Sequence, residues 1–216
     1  MGPDSERRES LISLRERQTI VRLSRAAEYR DWDSPAHLER VSAYARLIAC
    51  RMGRPSAECE LVFQAAPMHD VGKIGIPDRI LLKSGPLTAD EFDLVKQHSV
   101  LGHHLLRGSD VELLETAATI ALTHHERFDG SGYPNGASGE AIALPGRIVA
   151  VADTFDVLTS NRPYKDAWPV PLAWAWLHNQ AGTHFDPACV AAFQDGESEV
   201  EAIRARYPDG PDTPGP

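Results

Sequence analysis

A chain of 216 residues is long enough for one domain with a sizeable buried core, and its formal net charge of −9 argues against non-specific binding to long nucleic acid, which needs a basic face. No apolar run approaches the about 20 residues that cross a bilayer, and the Arg- and Glu-rich N-terminus lacks the apolar centre of a secretory signal, so a cytoplasmic protein with no membrane partner is expected. Cys50, Cys59 and Cys189 show no Cys-x-x-Cys spacing, which indicates neither a disulfide framework nor a thiolate zinc site.

In chain order, residues 6–30 intersperse Leu11, Ile12, Leu14, Ile20, Val21 and Leu23 among charges and read as an amphipathic helix. Its apolar face can pack on the domain, pair with a second copy, or continue from another domain. Ser34 suits an N-cap and Pro35 the first helical position. From there His37, Val41, Tyr44 and Ile48 fall on one helix face. His37 therefore looks inward, either as a core histidine bonded to a carbonyl or as a ligand. Gly53-Arg54-Pro55 breaks this helix, and Ser56 can cap the next, which runs into His69.

A glycine-spaced turn follows, and Thr88 with Glu91 has the capping-box spacing. The helix it opens carries Phe92, Val95, His98, Gly102 and Leu105 on one side, so His98 also faces inward. A further helix over roughly 110–125 bears Leu113, Leu114, Ala117 and Ala121 and ends in His124-His125-Glu126. Residues 127–136 hold three glycines and a proline and cannot be helical. The apolar stretch from Ile148 to Leu158, whose only charges are Asp153 and Asp156, reads as a buried helix because no neighbouring segment alternates with period two. Trp174, Trp176 and Leu177 suggest another helix, and Asp186-Pro187 caps one more. The expected organisation is a charged helix or linker over 1–27, one domain over 28–195, and a helix end with a Pro/Gly-rich tail over 196–216.

His69-Asp70 offers one nitrogen and two oxygens from adjacent positions, a mixed donor set suited to Fe, Mn or Zn more than to Ca. By itself the dipeptide says little. Counted together, His37, His69, Asp70, His98, His124, His125 and Asp153 lie at helix ends or on inward faces, and a helical bundle can gather such residues at its centre. Seven donors exceed what one tetrahedral ion needs. Two ions bridged by Asp70 use them better, and such a pair holds a water or hydroxide suited to in-line phosphoryl displacement.

The stretch His69-Asp70-Val71-Gly72-Lys73-Ile74-Gly75-Ile76-Pro77-Asp78, with His124-His125-Glu126-Arg127-Phe128-Asp129-Gly130-Ser131-Gly132-Tyr133-Pro134, closely resembles the HD-GYP family of cyclic-di-GMP phosphodiesterases, a branch of the HD phosphohydrolases. Supporting stretches around His37, His98, Asp153, Arg162-Pro163-Tyr164-Lys165 and Gly182-Thr183-His184-Phe185-Asp186-Pro187 are similar in order and spacing. The resemblance implies an all-α HD-domain helical bundle with a central metal site. It implies that His37, His69, Asp70 and Asp153 hold one iron or manganese ion, and Asp70, His98, His124 and His125 a second. Lys73 would face the scissile phosphate, Arg162 and Lys165 would contact ligand, and Gly132, Tyr133 and Pro134, in the loop beside the site, would bind substrate, shape the site or dock a partner protein. Asp33 stands where three-metal members carry glutamate; being one methylene shorter, it leaves a third ion open. Glu126 could orient a histidine, Asp156 reads as a hydrogen-bond partner, and His103, His104 and His178 read as packing or surface residues.

The implied function is hydrolysis of cyclic-di-GMP to pGpG or GMP. The alternatives are a weakly active or inactive module that senses the nucleotide or docks a protein, and a broader HD phosphohydrolase acting on another nucleotide. Implied partners are the cyclic dinucleotide, a diguanylate cyclase or a sensory domain, with a homodimer through the N-terminal helix.

Overall fold

The computed structural model describes residues 35–161 and 166–209, together with Arg22 and Ser24. Helix α1, Pro35–Arg51, buries Leu38, Val41, Tyr44, Ala45 and Ile48 completely, and His37 lies on the same stripe. The period of 3.6 residues read from the sequence is thus the packing face. Helix α2, Ser56–Ala65, starts one residue earlier than a Ser56 cap would allow. Pro55 occupies the cap position instead, with φ −53° and ψ 146°, and no side chain bonds the first turn. The pyrrolidine ring already holds the backbone in the entry geometry, so the serine is not needed there.

From α2 the chain tightens into a 3₁₀ turn, Ala66–Met68, and after His69 and Asp70 into a second, Val71–Gly75. The pair is thereby held between two short, stiff segments. A single-turn helix α3, Asp78–Leu81, leads to α4, Ala89–Leu106. The capping box at its start is complete: the Glu91 amide donates to Thr88 Oγ1 at 3.2 Å and the Thr88 amide to Glu91 Oε2 at 2.8 Å. Along α4 the buried residues are His98, Ser99 and Gly102. Phe92 and Leu105, expected on the buried side, are 46% and 60% exposed. The second 3₁₀ turn crosses α4 at its middle, where Gly72 meets the His98–Gly102 backbone, and so covers that part of the helix and not these two residues.

Helix α5, Glu112–Thr123, packs on α2, α4 and the following α6, Leu144–Thr159. Helices α7, Val170–Asn179, α8, Pro187–Gln194, and α9, Glu197–Arg206, complete the bundle. Asp186 caps α8 as expected, accepting from the Ala188 amide at 2.8 Å. Helix α1 is the common partner of α2, α6, α8 and α9. Tyr44, Phe155, Trp174 and Phe193 form the aromatic centre of the core, with Phe155 and Trp174 ring centroids 4.6 Å apart and Tyr44 and Phe193 5.4 Å apart. Among the described residues the architecture is all-α, with a lone Ala181–Phe185 bridge and no strand. None of the described helices is long and apolar enough to cross a membrane. The N-terminal helix expected over 6–30, Asp33, Arg162 and Lys165 lie outside the described residues, except that Arg22 and Ser24 are helical.

Candidate metal centre

The seven donors expected from the sequence come together from five parts of the chain. His37 comes from α1, His69 and Asp70 from the turn after α2, His98 from α4, His124 and His125 from the end of α5, and Asp153 from α6. They divide into two sets. Asp70, His98, His124 and His125 form one and His37, His69 and Asp153 the other, each offering donor atoms that lie within 4.8 Å of one another.

Asp70 stands between the sets with one oxygen toward each. Its Oδ1 is 3.1 Å from His98 Nε2 and 3.5 Å from His124 Nε2, while its Oδ2 is 3.4 Å from His69 Nε2. Lys73 Nζ pairs with the same Oδ2 at 2.7 Å. Asp153 Oδ1 is 3.6 Å from His37 Nε2 and 3.9 Å from His69 Nε2.

Four of the histidines are held by their other ring nitrogen. His69 Nδ1 lies 3.0 Å from the Ala66 carbonyl, His98 Nδ1 2.7 Å from that of Val95, and His124 Nδ1 3.1 Å from those of Ile120 and Ala121. A carbonyl only accepts, so each Nδ1 carries the proton and donates. His37 Nδ1 donates in the same way to Asp156 Oδ2 at 2.9 Å. Each Nε2 is then a lone-pair donor aimed at the centre, the arrangement typical of ligating histidines. Helical geometry supplies these anchors, because a carbonyl three or four residues back lies below the imidazole.

The centre is therefore crowded with acceptors that face each other. His69 Nε2, Asp70 Oδ1 and His124 Nε2 are buried and make no hydrogen bond. Orphaned buried acceptors are costly unless something positive lies between them. Electrostatics agree. Burial would raise the Asp70 carboxyl, yet Lys73 and His69 hold it well below the usual carboxylate range. Burial disfavours a charged His69, but Asp70 and Asp153 outweigh it and lift its pKa to about 9, which favours positive charge at its Nε2, whether a proton or a cation that displaces it. Burial lowers His124, and lowers His125 further with help from His124 and His98, so both offer neutral rings. With nitrogen and carboxylate donors together, the set fits divalent transition metals.

Sequence reasoning passed over Arg40, three residues beyond His37 on the same helix. It is 3% exposed and donates through Nε and Nη2 to Asp156, the carboxylate that anchors His37. Its Nη1 donates to the Tyr207 carbonyl at 2.8 Å and pairs with Asp209, which ties the segment after α9 to α1. An arginine on an otherwise inward helix stripe was the available signal. Glu126 behaves differently from the expectation that it orients a histidine. Both of its oxygens accept from loop amides, Oε1 from Asn135 at 2.7 Å and Oε2 from Ala137 at 3.1 Å. The chain turns back over residues 127–130, where the Gly130 amide donates to the Arg127 carbonyl at 2.8 Å, and the Glu126 carboxylate reaches across the loop that follows. Gly132 and Tyr133 lie where the loop passes the site, and the Tyr133–Pro134 peptide is cis. The Tyr133 ring stacks on His125 with centroids 4.8 Å apart and planes at 29°. His103 packs on α5, its Nδ1 3.2 Å from the Ala118 carbonyl, and His104 and His178 are exposed.

A model of the HD domain family matches residues 9–189. The cyclic di-GMP phosphodiesterase response regulator RpfG of Xanthomonas campestris pv. campestris (strain 8004) is 50% identical over 204 residues, covering 94% of this chain and 54% of the relative. A cyclic di-GMP phosphodiesterase of Thermotoga maritima is 45% identical over 187 residues, covering 87% of this chain and 51% of the relative. The chain thus spans about half the length of these curated relatives. In fold it is similar to the crystal structure of a cyclic GMP-AMP specific phosphodiesterase of Vibrio cholerae, V-cGAP3, with a TM-score of 0.62 and 16% identity, covering 91% of this chain and 56% of that one.

Proposed function

Since the chain belongs to the HD domain family, in its HD-GYP branch, we propose that it is a metal-dependent phosphodiesterase that hydrolyses cyclic-di-GMP to linear pGpG, with a second cut giving GMP. Water adds to phosphorus, the P–O3′ bond breaks, and the leaving oxygen takes a proton to become the 3′-hydroxyl. The observation that carries this reading is Asp70, whose two oxygens face the two histidine sets across distances of 3.1–3.5 Å.

In this reading His37, His69, Asp70 and Asp153 hold one cation and Asp70, His98, His124 and His125 the other, with iron and manganese the candidates. When bound, two such ions supply a water of lowered pKa and polarise the phosphoryl oxygens. The chain's own contribution is to present them. The anchored Nδ1–H groups fix the tautomers, and Asp70 shares its carboxylate between the sets. Lys73, held by that carboxylate at 2.7 Å, offers an ammonium to the charge that develops on the phosphoryl group. Arg162 and Lys165 are proposed phosphate contacts, and Gly132, Tyr133 and Pro134 border the site. The convergence of all seven donors supports catalysis over a module that only senses the nucleotide.

The test is to incubate the protein, reconstituted with Mn(II) or Fe(II), with cyclic-di-GMP, and to separate products chromatographically. Linear pGpG is expected from the parent, and neither metal nor turnover from Asp70→Ala. Unchanged turnover in that variant would overturn the role of Asp70. A panel including cyclic GMP-AMP and cyclic-di-AMP measures the preference among cyclic dinucleotides.

A further inference from the structure

His125 is the exception among the five histidines of the centre. Among the described residues neither of its ring nitrogens has a hydrogen bond, whereas His37, His69, His98 and His124 are each locked through Nδ1. An imidazole without such an anchor can swing about its outer side-chain torsion, which is broad. That motion carries Nε2 away from Asp70, and a half-turn exchanges the two nitrogens. Something other than a hydrogen bond must hold this ring.

The loop of residues 127–136 supplies it. Tyr133 lies nearly parallel over the His125 ring, at 4.8 Å and 29°, whereas the other rings beside it are inclined, His124 at 3.9 Å and 44° and His98 at 5.0 Å and 85°. The Tyr133 amide donates to the His125 carbonyl at 3.2 Å, so the loop closes on the residue whose ring it covers. Gly132 makes the approach possible: a Cβ there would sit 2.2 Å from the Arg127 nitrogen and 2.6 Å from Glu126 backbone atoms. Beyond Tyr133, the buried Glu126 carboxylate spends both oxygens on the Asn135 and Ala137 amides. Glu126 directly follows His125 in the chain. One backbone segment thus carries the ligand and the group that pins the loop over it.

We propose that Tyr133 is the positioning residue for His125, fixing by ring stacking the one histidine donor that no hydrogen bond orients, and that Glu126 holds Tyr133 in place through the loop. The inference rests on the metal-centre reading above and assigns the Gly132-Tyr133-Pro134 segment to shaping that centre, with no substrate contact required of it. The tyrosine hydroxyl has no part in it; the ring does.

Calorimetric titration of the metal-stripped full chain with Mn(II) tests this without any nucleotide. The parent should bind at both donor sets. Tyr133→Ala should weaken binding at one of them by about 10- to 100-fold, the usual cost of losing a group that orients a ligand, and leave the other unchanged. Tyr133→Phe keeps the stack and should titrate like the parent, while Glu126→Gln should weaken the same single event. Should Tyr133→Ala fail to fold by circular dichroism, Tyr133→Leu, which fills the space without a stacking ring, takes its place with the same expectation. Parent-like titration of the Ala or Leu variant overturns the proposal, and so does a Phe variant as impaired as Ala. A parent chain that binds no Mn(II) overturns the metal-centre reading together with this one. Loss of cyclic-di-GMP turnover with both metal events intact would instead point to substrate contact and also overturn it.

Discussion

Asp156 gathers four donor atoms from three residues on one buried carboxylate. His37 Nδ1, Arg40 Nε and Nη2, and Ser160 Oγ all lie within hydrogen-bond distance of its oxygens. Burial alone would raise its pKa, but the His37 and Arg40 contacts win and hold it below the usual carboxylate range. Removing it would leave the Arg40 guanidinium buried with its main partner gone, and an uncompensated buried charge is among the costliest single changes. Asp156→Ala is expected to lose about 3–5 kcal/mol in urea unfolding. Replacing Arg40 with Met in the same chain should recover part of that loss, because the stranded charge goes with it. A double variant that loses the sum of the two single losses would show that the pair is not coupled. In the sequence Asp156 was readable as a hydrogen-bond partner, but Arg40 was not, since its role depends on α6 lying against α1.

At the scale of elements, the decisive contact is the 3₁₀ turn Val71–Gly75 against α4. It places Asp70 and Lys73 on one side and His98 on the other, so their spacing depends on how closely two backbones meet. Gly72 sets that distance. A Cβ there would fall 1.9 Å from the His98 carbonyl oxygen and 2.4 Å from the Gly102 nitrogen, and neither is a side chain that can move aside. Gly72→Ala is expected to cost about 3 kcal/mol or more in urea unfolding, at or above the upper end of ordinary overpacking. Gly102→Ala should cost less, because its Cβ would first meet the Ala121 methyl at 3.1 Å. Equal effects at the two positions would contradict this account. The same contact explains the exposure of Phe92 and Leu105. Helical periodicity identifies a face, but the length of the covering element decides how much of it is buried.

Across the whole molecule, the donors are drawn from α1, the turn after α2, α4, α5 and α6, so cations held by the two sets would tie these elements together. Any ligand that binds the folded chain alone stabilises it, by about 2.7 kcal/mol at a hundred times its dissociation constant. Mn(II) is therefore expected to raise the melting temperature of the metal-stripped chain, and a chelator to reverse the gain. Asp70→Ala should abolish the response, having lost the carboxylate that stands between the two sets. An identical melt with Mn(II) and with chelator would contradict a shared centre.

The sequence by itself determined the helical character of the chain, the starts of α1, α4 and α8, the inward placement of His37 and His98, and the seven candidate donors whose side chains converge. These are local properties, set by periodicity, by caps within four residues and by the chemistry of each side chain. Only the tertiary structure decided that Asp70 turns one oxygen to each histidine set and that Arg40 supports Asp156. It also decided that Glu126 serves the loop and that Tyr133 lies over His125. Those relations join residues up to 119 positions apart, and they exist only once the helices have packed at fixed distances, which no local pattern encodes.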